Sequence, residues 1–202
     1  MPGKVRPGPR ELLRRHSREW RAATAHPFLD GVRNGTLPAK SLERWLQQDN
    51  HFVSDLLCFQ ARLLAVAPRA AQAVLAGGLV ALEEELSWFE QMARRRGLPL
   101  NVPRHPTNEA YRALLDGLLT QPFAVGATAL WGLELAYLEG WRGARPGATQ
   151  YRDFVEHWTL PSFQDYVDRL EIHAEDSPEA DAAWLATVAL ETAFWDMAFL
   201  SE

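Results

Sequence analysis

Asp49, Glu134 and Glu191 each fall on the apolar face of a helical pattern, and that placement constrains the chain more than any other feature. At about 100° per residue, Trp45, Phe52, Val53 and Leu56 share the face of Asp49; Leu130, Trp131, Tyr137 and Leu138 share that of Glu134; Thr187, Val188, Phe194 and Trp195 share that of Glu191. An unpartnered carboxylate buried on such a face is penalised by several kcal/mol or takes up a proton, so buried acids are usually paired, hydrogen-bonded or used in chemistry. Three of them on separate helices point to one polar pocket inside a helical core.

The rest of the composition agrees with that fold class. The 202 residues are 47% hydrophobic, with eight Trp and nine Phe, enough for one sizeable core. Ile172 is the only isoleucine, and the Ala-, Leu-, Arg- and Glu-rich remainder favours helix over sheet. The expected fold is an all-α, single-domain bundle of about seven to eight helices over 11–202, preceded by a flexible segment over 1–10. A net charge of −5 argues against an electrostatic nucleic-acid binder. No stretch approaches the roughly 20 apolar residues of a membrane span. The basic start lacks the apolar run of a signal peptide. With Cys58 the only cysteine, no intrachain disulfide framework is possible, and a cytoplasmic location is expected.

Proline and glycine divide the chain. A first helix is expected over Glu11–Ala25, then a short segment opened by His26-Pro27-Phe28 and closed by the turn pair Asn34-Gly35. Pro38 suits the first turn of a long helix that Pro68 ends. The next helix spans roughly Arg69–Arg96, where three arginines complement the helix dipole and Gly97 caps the end. A connector with three prolines leads to Thr107 or Asn108 as an N-cap, Pro122 starts the Glu134 helix, and a short helix near Tyr151 follows. Pro161 begins another helix, and Ser177 with Pro178 opens the last, which runs to the C-terminus.

Several kinds of chemistry are disfavoured by spacing. Di-iron bundles use Glu-x-x-His pairs, but three residues after Glu134 stands Tyr137 and three after Glu191 stands Phe194, so no metal site is expected. Gly77-Gly78 lies inside a helical pattern and reads as close helix packing, not a phosphate cradle. Cys58, nine residues beyond Asp49, is rotated about 180° from it and reads as a small buried hydrophobe. Acid–base chemistry by the carboxylates remains, among aromatic rings able to stack on a flat ligand. Each acid taken singly is equally compatible with a buried ion pair or a helix cap, and the aromatic residues alone are more often core than ligand cage.

The segments HPFLDGVRNGTLP, WLQQDNHFV, LEEELSWFEQMARRRGL, HPTNEAYRALL, ALWGLELAYLEGW and LETAFWDMAF resemble, in order and spacing, the motifs of the TenA family of thiamin-salvage enzymes. The resemblance covers nearly the whole chain and implies the haem-oxygenase-like helical fold. The family's thiaminase type places a nucleophilic cysteine in Pro-Cys-x-Trp; here the segment is Thr128-Ala129-Leu130-Trp131, with Ala129 at the cysteine position. The following W-G-L-E-L-A-Y instead resembles the W-x-I-E-x-x-Y of the cysteine-less class, in which a glutamate takes over. Phe52 and Ser87-Trp88-Phe89 fit that class too. Asn50 replaces a usual tyrosine, and Trp158 stands where the cysteine class has a pocket tyrosine.

The resemblance implies hydrolysis of an aminomethyl- or formylaminomethyl-pyrimidine to the hydroxymethyl-pyrimidine, as an aminopyrimidine aminohydrolase-like C–N hydrolase. Asp49 would bind the pyrimidine's amidine edge, Glu191 would donate and accept a proton, and Glu134 would shuttle a proton between water and the leaving amine. Tyr111 would hydrogen-bond the substrate; Phe52, Trp88, Phe89 and Trp131 would close around its ring, with Tyr137 and Trp158 completing the pocket. No metal or organic cofactor is implied, and the family implies a homo-oligomer, dimer or tetramer. The alternative reading is a small-heterocycle-binding protein, or another reaction on the same fold.

Overall fold

The computed structural model describes residues 8–199 and holds, among them, ten α-helices, one 3₁₀ turn and no strand. They are α1 (Arg10–Arg15), α2 (Ser17–Thr24), α3 (Pro27–Asn34), α4 (Ala39–Ala65), α5 (Arg69–Arg96), α6 (Pro106–Leu118), α7 (Phe123–Gly143), α8 (Arg152–His157), α9 (Pro161–Glu171) and α10 (Pro178–Phe199). The first expected helix breaks at His16, whose ψ of 40° leaves the helical region and separates α1 from α2. Of the segment expected to be flexible, residues 1–7 lie outside the described residues, and Arg10 already opens α1. The expected run of α10 beyond Phe199 also lies outside them.

Two His-Pro steps start helices for one local reason. The ring Nδ1 of His26 accepts the Phe28 N–H at 3.1 Å, and that of His105 accepts the Thr107 N–H at 3.1 Å. Each satisfies a donor the first turn leaves open, while proline at N1 gives up no helical bond. His105, not Thr107 or Asn108, therefore caps α6. Asn108 is instead fully buried and donates from Nδ2 to the Gln48 carbonyl and Oε1, at 2.8 and 2.9 Å. Gly97, at φ 65°, closes α5 in the left-handed region, its N–H on Arg94 O and the Leu98 N–H on Ala93 O. Pro38 precedes the first turn of α4 as its N-cap, one position earlier than its expected place within it.

α7 is the middle of the molecule. Its residues from Val125 to Leu138 are all buried, as expected for a helix apolar on every side. It packs on α10, α9 and α2, while α4 pairs with α5 and α6 and also meets α10. Cys58, expected to be a small buried hydrophobe, is instead exposed, on the rim of a shallow groove between α4 and α6.

Gly77 and Gly78 behave differently although adjacent. A Cβ on Gly78 would lie 2.1 Å from Gln60 Nε2 and 2.6 Å from Tyr166 Oη, so the missing side chain lets α4, α5 and α9 converge. Gln60 cannot yield easily: it is fully buried, donates to Leu75 O at 2.8 Å and accepts from Tyr166 Oη at 3.0 Å. Nothing lies within 4 Å of the same position on Gly77. In urea denaturation, Gly78→Ala is expected to lose about 1–3 kcal/mol by overpacking, whereas Gly77→Ala gains up to about 1 kcal/mol from helix propensity.

Candidate functional site

Asp49 on α4, Glu85 on α5 and Glu134 on α7 line one cavity of about 530 Å³. Its floor is buried and mixed: Phe52, Val53 and Leu56 from α4, Leu82 from α5, Leu133 and Tyr137 from α7, and Trp158 just after α8. Its mouth is formed by exposed Ala81 and Glu84 on α5 and by Leu160, Asp165 and Arg169 at and along α9. Among the described residues lining it, Arg169 is the only lysine or arginine.

Each acid is held differently. The Tyr137 hydroxyl donates to Asp49 Oδ2 at 2.6 Å, both groups buried. Trp158 Nε1 donates to Glu85 Oε1 at 2.9 Å. The Tyr111 hydroxyl donates to Glu191 Oε1 at 2.5 Å. Glu134 is 6% exposed, and among the described residues nothing hydrogen-bonds its carboxyl. It is thus the buried acid whose polar needs only the cavity contents can meet.

Burial pushes Asp49 and Glu134 well above the usual carboxylate range, and the charges of Glu85 and Glu191 add to the rise at both. Glu85 and Glu191 are raised by burial to about 7, against the opposing hydrogen bonds from Trp158 and Tyr111. Four carboxyl groups so coupled cannot all ionise, and they titrate as a set. Burial also lowers His157, on the cavity wall, to about 4, so it brings no compensating charge at neutral pH. Among the described residues no three His, Cys, Asp or Glu side chains converge to hold a metal ion. The arrangement can exchange protons, bind a cation and stack a flat ring.

The residues singled out in the sequence divide into wall and support. Asp49, Glu134, Phe52, Tyr137 and Trp158 line the cavity; Glu191, Tyr111, Trp88, Phe89 and Trp131 are not on its wall. Glu191 and Tyr111 form a buried pair, and the Tyr111 ring lies 4.6 Å from that of Phe52, which separates it from the cavity. Trp88 stacks on His157 at 4.3 Å, and Phe89 packs against Trp45 and Trp158 in the core. Trp131 is wholly buried in the core, its Nε1 without a partner among the described residues. Where a closing role was expected, Phe89 and Trp131 thus pack the core and half-buried Trp88 packs against it, because α5 and α7 turn Leu82, Glu85, Glu134 and Tyr137 to the cavity instead.

Sequence reasoning missed Glu85, His157 and Tyr166. Glu85 hides in the acidic run Glu83-Glu84-Glu85, which reads as a solvated face, yet it lies on the same stripe as buried Leu82 and Phe89. That i, i+3, i+7 spacing was the available signal.

Known proteins resemble this chain in sequence and in fold. A probable bifunctional TENA-E protein of Glycine max is 28% identical over 92% of this chain and 90% of its own length. The aminopyrimidine aminohydrolase of Bacillus subtilis is 22% identical, over 91% and 86%. Among solved structures, a TenA homologue from Pyrococcus furiosus superposes with a TM-score of 0.88 at 29% identity, covering 94% of this chain and 98% of that one. The all-α, haem-oxygenase-like bundle expected from the sequence is the fold these structures share. With a family model matching residues 13–200, the chain belongs to the TENA/THI-4/PQQC family.

Proposed function

We propose that the protein hydrolyses an aminomethyl- or formylaminomethyl-pyrimidine to the hydroxymethyl-pyrimidine, as a cysteine-less member of its family. The observation that carries this reading is the unpartnered Glu134 carboxyl on the wall of an acidic, aromatic-floored cavity. The similarity to the aminopyrimidine aminohydrolase supports the substrate class. Ala129, at the family's cysteine position, leaves no thiol there to attack carbon.

Asp49 binds the ring. Raised by burial, it holds a proton, and a neutral carboxyl offers one donor and one acceptor to the ring nitrogen and amino N–H of an aminopyrimidine. Tyr137 fixes the carboxyl plane through Oδ2. An aminomethyl substituent arrives as an ammonium, and its charge draws the surrounding acids back toward ionisation. Glu134, ionised beside that cation, takes a proton from water as the new C–O bond forms at the methylene. The C–N bond breaks with its electron pair passing to nitrogen, and Glu134 returns the proton to the departing ammonia. The sum is substrate ammonium plus water giving alcohol plus ammonium. With the formylamino substrate, the same base directs water to the formyl carbon, releasing formate and the amine. Glu191, off the wall, acts through its charge on Glu134 and Asp49.

Incubation with both pyrimidines, following ammonia, formate and alcohol, tests this directly. Glu134→Gln is expected to lower kcat about 10²–10⁴-fold with KM little changed. Wild type inactive on both substrates, or a fully active Glu134→Gln, would sink the reading.

The same protons make stability fall with pH. Glu85 and Glu191, at about 7 in the fold against 4.5 ordinarily, hold protons that the unfolded chain has already released between those values. Their stabilising contribution is full below the ordinary value and is lost as pH rises through about 7. The thermal midpoint should therefore fall as pH is raised from about 5 to about 8, and Glu191→Gln should flatten that slope; a midpoint rising with pH would contradict the assignment.

A further inference from the structure

Glu85 is an acid on the cavity wall that the hydrolytic steps leave unused. It sits on α5, which packs on α4 and α9, while Glu134 sits on α7, which packs on α10, α9 and α2; the cavity lies between the two helices. One Glu85 oxygen is fixed by Trp158 Nε1 at 2.9 Å, and among the described residues no second donor reaches the carboxyl. The residue is half-buried, standing between the buried floor and the exposed mouth formed by Glu84, Asp165 and Arg169.

We infer that Glu85, aimed by the Trp158 indole, is the group that receives the substrate's methylene nitrogen, opposite the Glu134 base. This assignment rests on the hydrolase reading for the word substrate, but its content is a binding preference for ammonium over alcohol.

Three observations support it. An ammonium needs a carboxylate with a free oxygen: Glu85 has one, Asp49 is already given to the ring edge in the proposed reaction, and Glu191 is off the wall. Glu134 is the base, and a group that must accept a proton from water cannot also hold the leaving nitrogen throughout. Trp158 holds Glu85 from the floor side, its ring edge-on to Tyr137 at 5.6 Å, so one rigid unit sets the distance between the ring-binding acid and the nitrogen-binding acid. The charged and titratable groups around Glu85 are Asp49 from α4, Glu84 on its own helix, Glu134 and Tyr137 from α7, His157 from α8, and Asp165, Tyr166 and Arg169 from α9. Acids outnumber the single arginine there, which favours a cationic group and opposes a phosphorylated one.

The chemistry balances with two acids. Glu85 as carboxylate pairs with the ammonium in the bound state; as C–N breaks, the electron pair stays on nitrogen and ammonia leaves against Glu85. The proton taken from water by Glu134 then passes to that ammonia, and both acids end as they began.

Calorimetric binding in a Glu134→Gln background, where turnover is suppressed, tests the assignment with two probes, the aminomethyl- and the hydroxymethyl-pyrimidine. Preference for the amine is expected, and adding Glu85→Gln should reduce it roughly ten- to hundredfold, the value of one charged hydrogen bond, while leaving the alcohol's Kd nearly unchanged. The amide oxygen introduced by Glu85→Gln can still accept from Trp158, so the fold is not at stake. An undiminished amine preference after Glu85→Gln, or no preference to begin with, would overturn the assignment. Absence of turnover in wild type would defeat the hydrolase reading alone, since the binding comparison does not depend on it.

Discussion

Like charges confined in a poorly solvated space cannot all exist at once, and this protein brings four carboxyl groups under that restriction. Asp49, Glu85, Glu134 and Glu191 come from four different helices; among the described residues three of them receive a single hydrogen bond and Glu134 none, and the side chains around them are mostly apolar. Among the described residues no arginine pairs with any of the four. The set therefore holds protons near neutrality, and under the proposed function a bound ammonium would release them. In the proposed reaction, binding and acid–base chemistry both depend on that charge being left uncompensated by the fold.

The helices make this arrangement possible by dividing labour. α7 is buried on every side and brings Glu134 and Tyr137 to the cavity from the centre of the bundle. α4 and α5 pair along their length and supply Asp49 and Glu85, with Gly78 allowing Gln60 and Tyr166 to close the wall between α4, α5 and α9. The tyrosines and the tryptophan that touch the acids each give one hydrogen bond without adding charge. Orientation is thus fixed while the proton count stays adjustable.

Much of this was legible in the sequence because helices announce their ends. Proline, glycine and the Asn-Gly turn placed the starts of α4, α5, α7 and α9 and the ends of α3, α4 and α5 to within a residue or two, and periodicity put Asp49, Glu134 and Glu191 on inward faces. What periodicity does not give is which inward residue meets space and which meets another helix. Trp131 and Phe89 are as buried as any pocket residue would be, yet they fill the core. Glu85 failed for the opposite reason: its neighbours Glu83 and Glu84 are exposed, and composition masked its position between Leu82 and Phe89. Cys58 shows the same limit from outside, since its rotation away from Asp49 was readable but its exposure, in a shallow groove between α4 and α6, was not. The His105 cap was hidden because histidine is not an expected N-cap residue, although His26 repeats the device.

Whether these acids hold protons at neutral pH is measured most directly by infrared titration of the carboxyl carbonyl stretch, comparing wild type with Glu134→Gln. A protonated-carboxyl band should persist at pH 7, diminish as pH rises through about 7 and beyond, and lose intensity in Glu134→Gln. If instead every carboxyl ionises in the ordinary range of roughly 4 to 5, the buried acids are ion-paired or solvated and the electrostatic basis of the site is wrong.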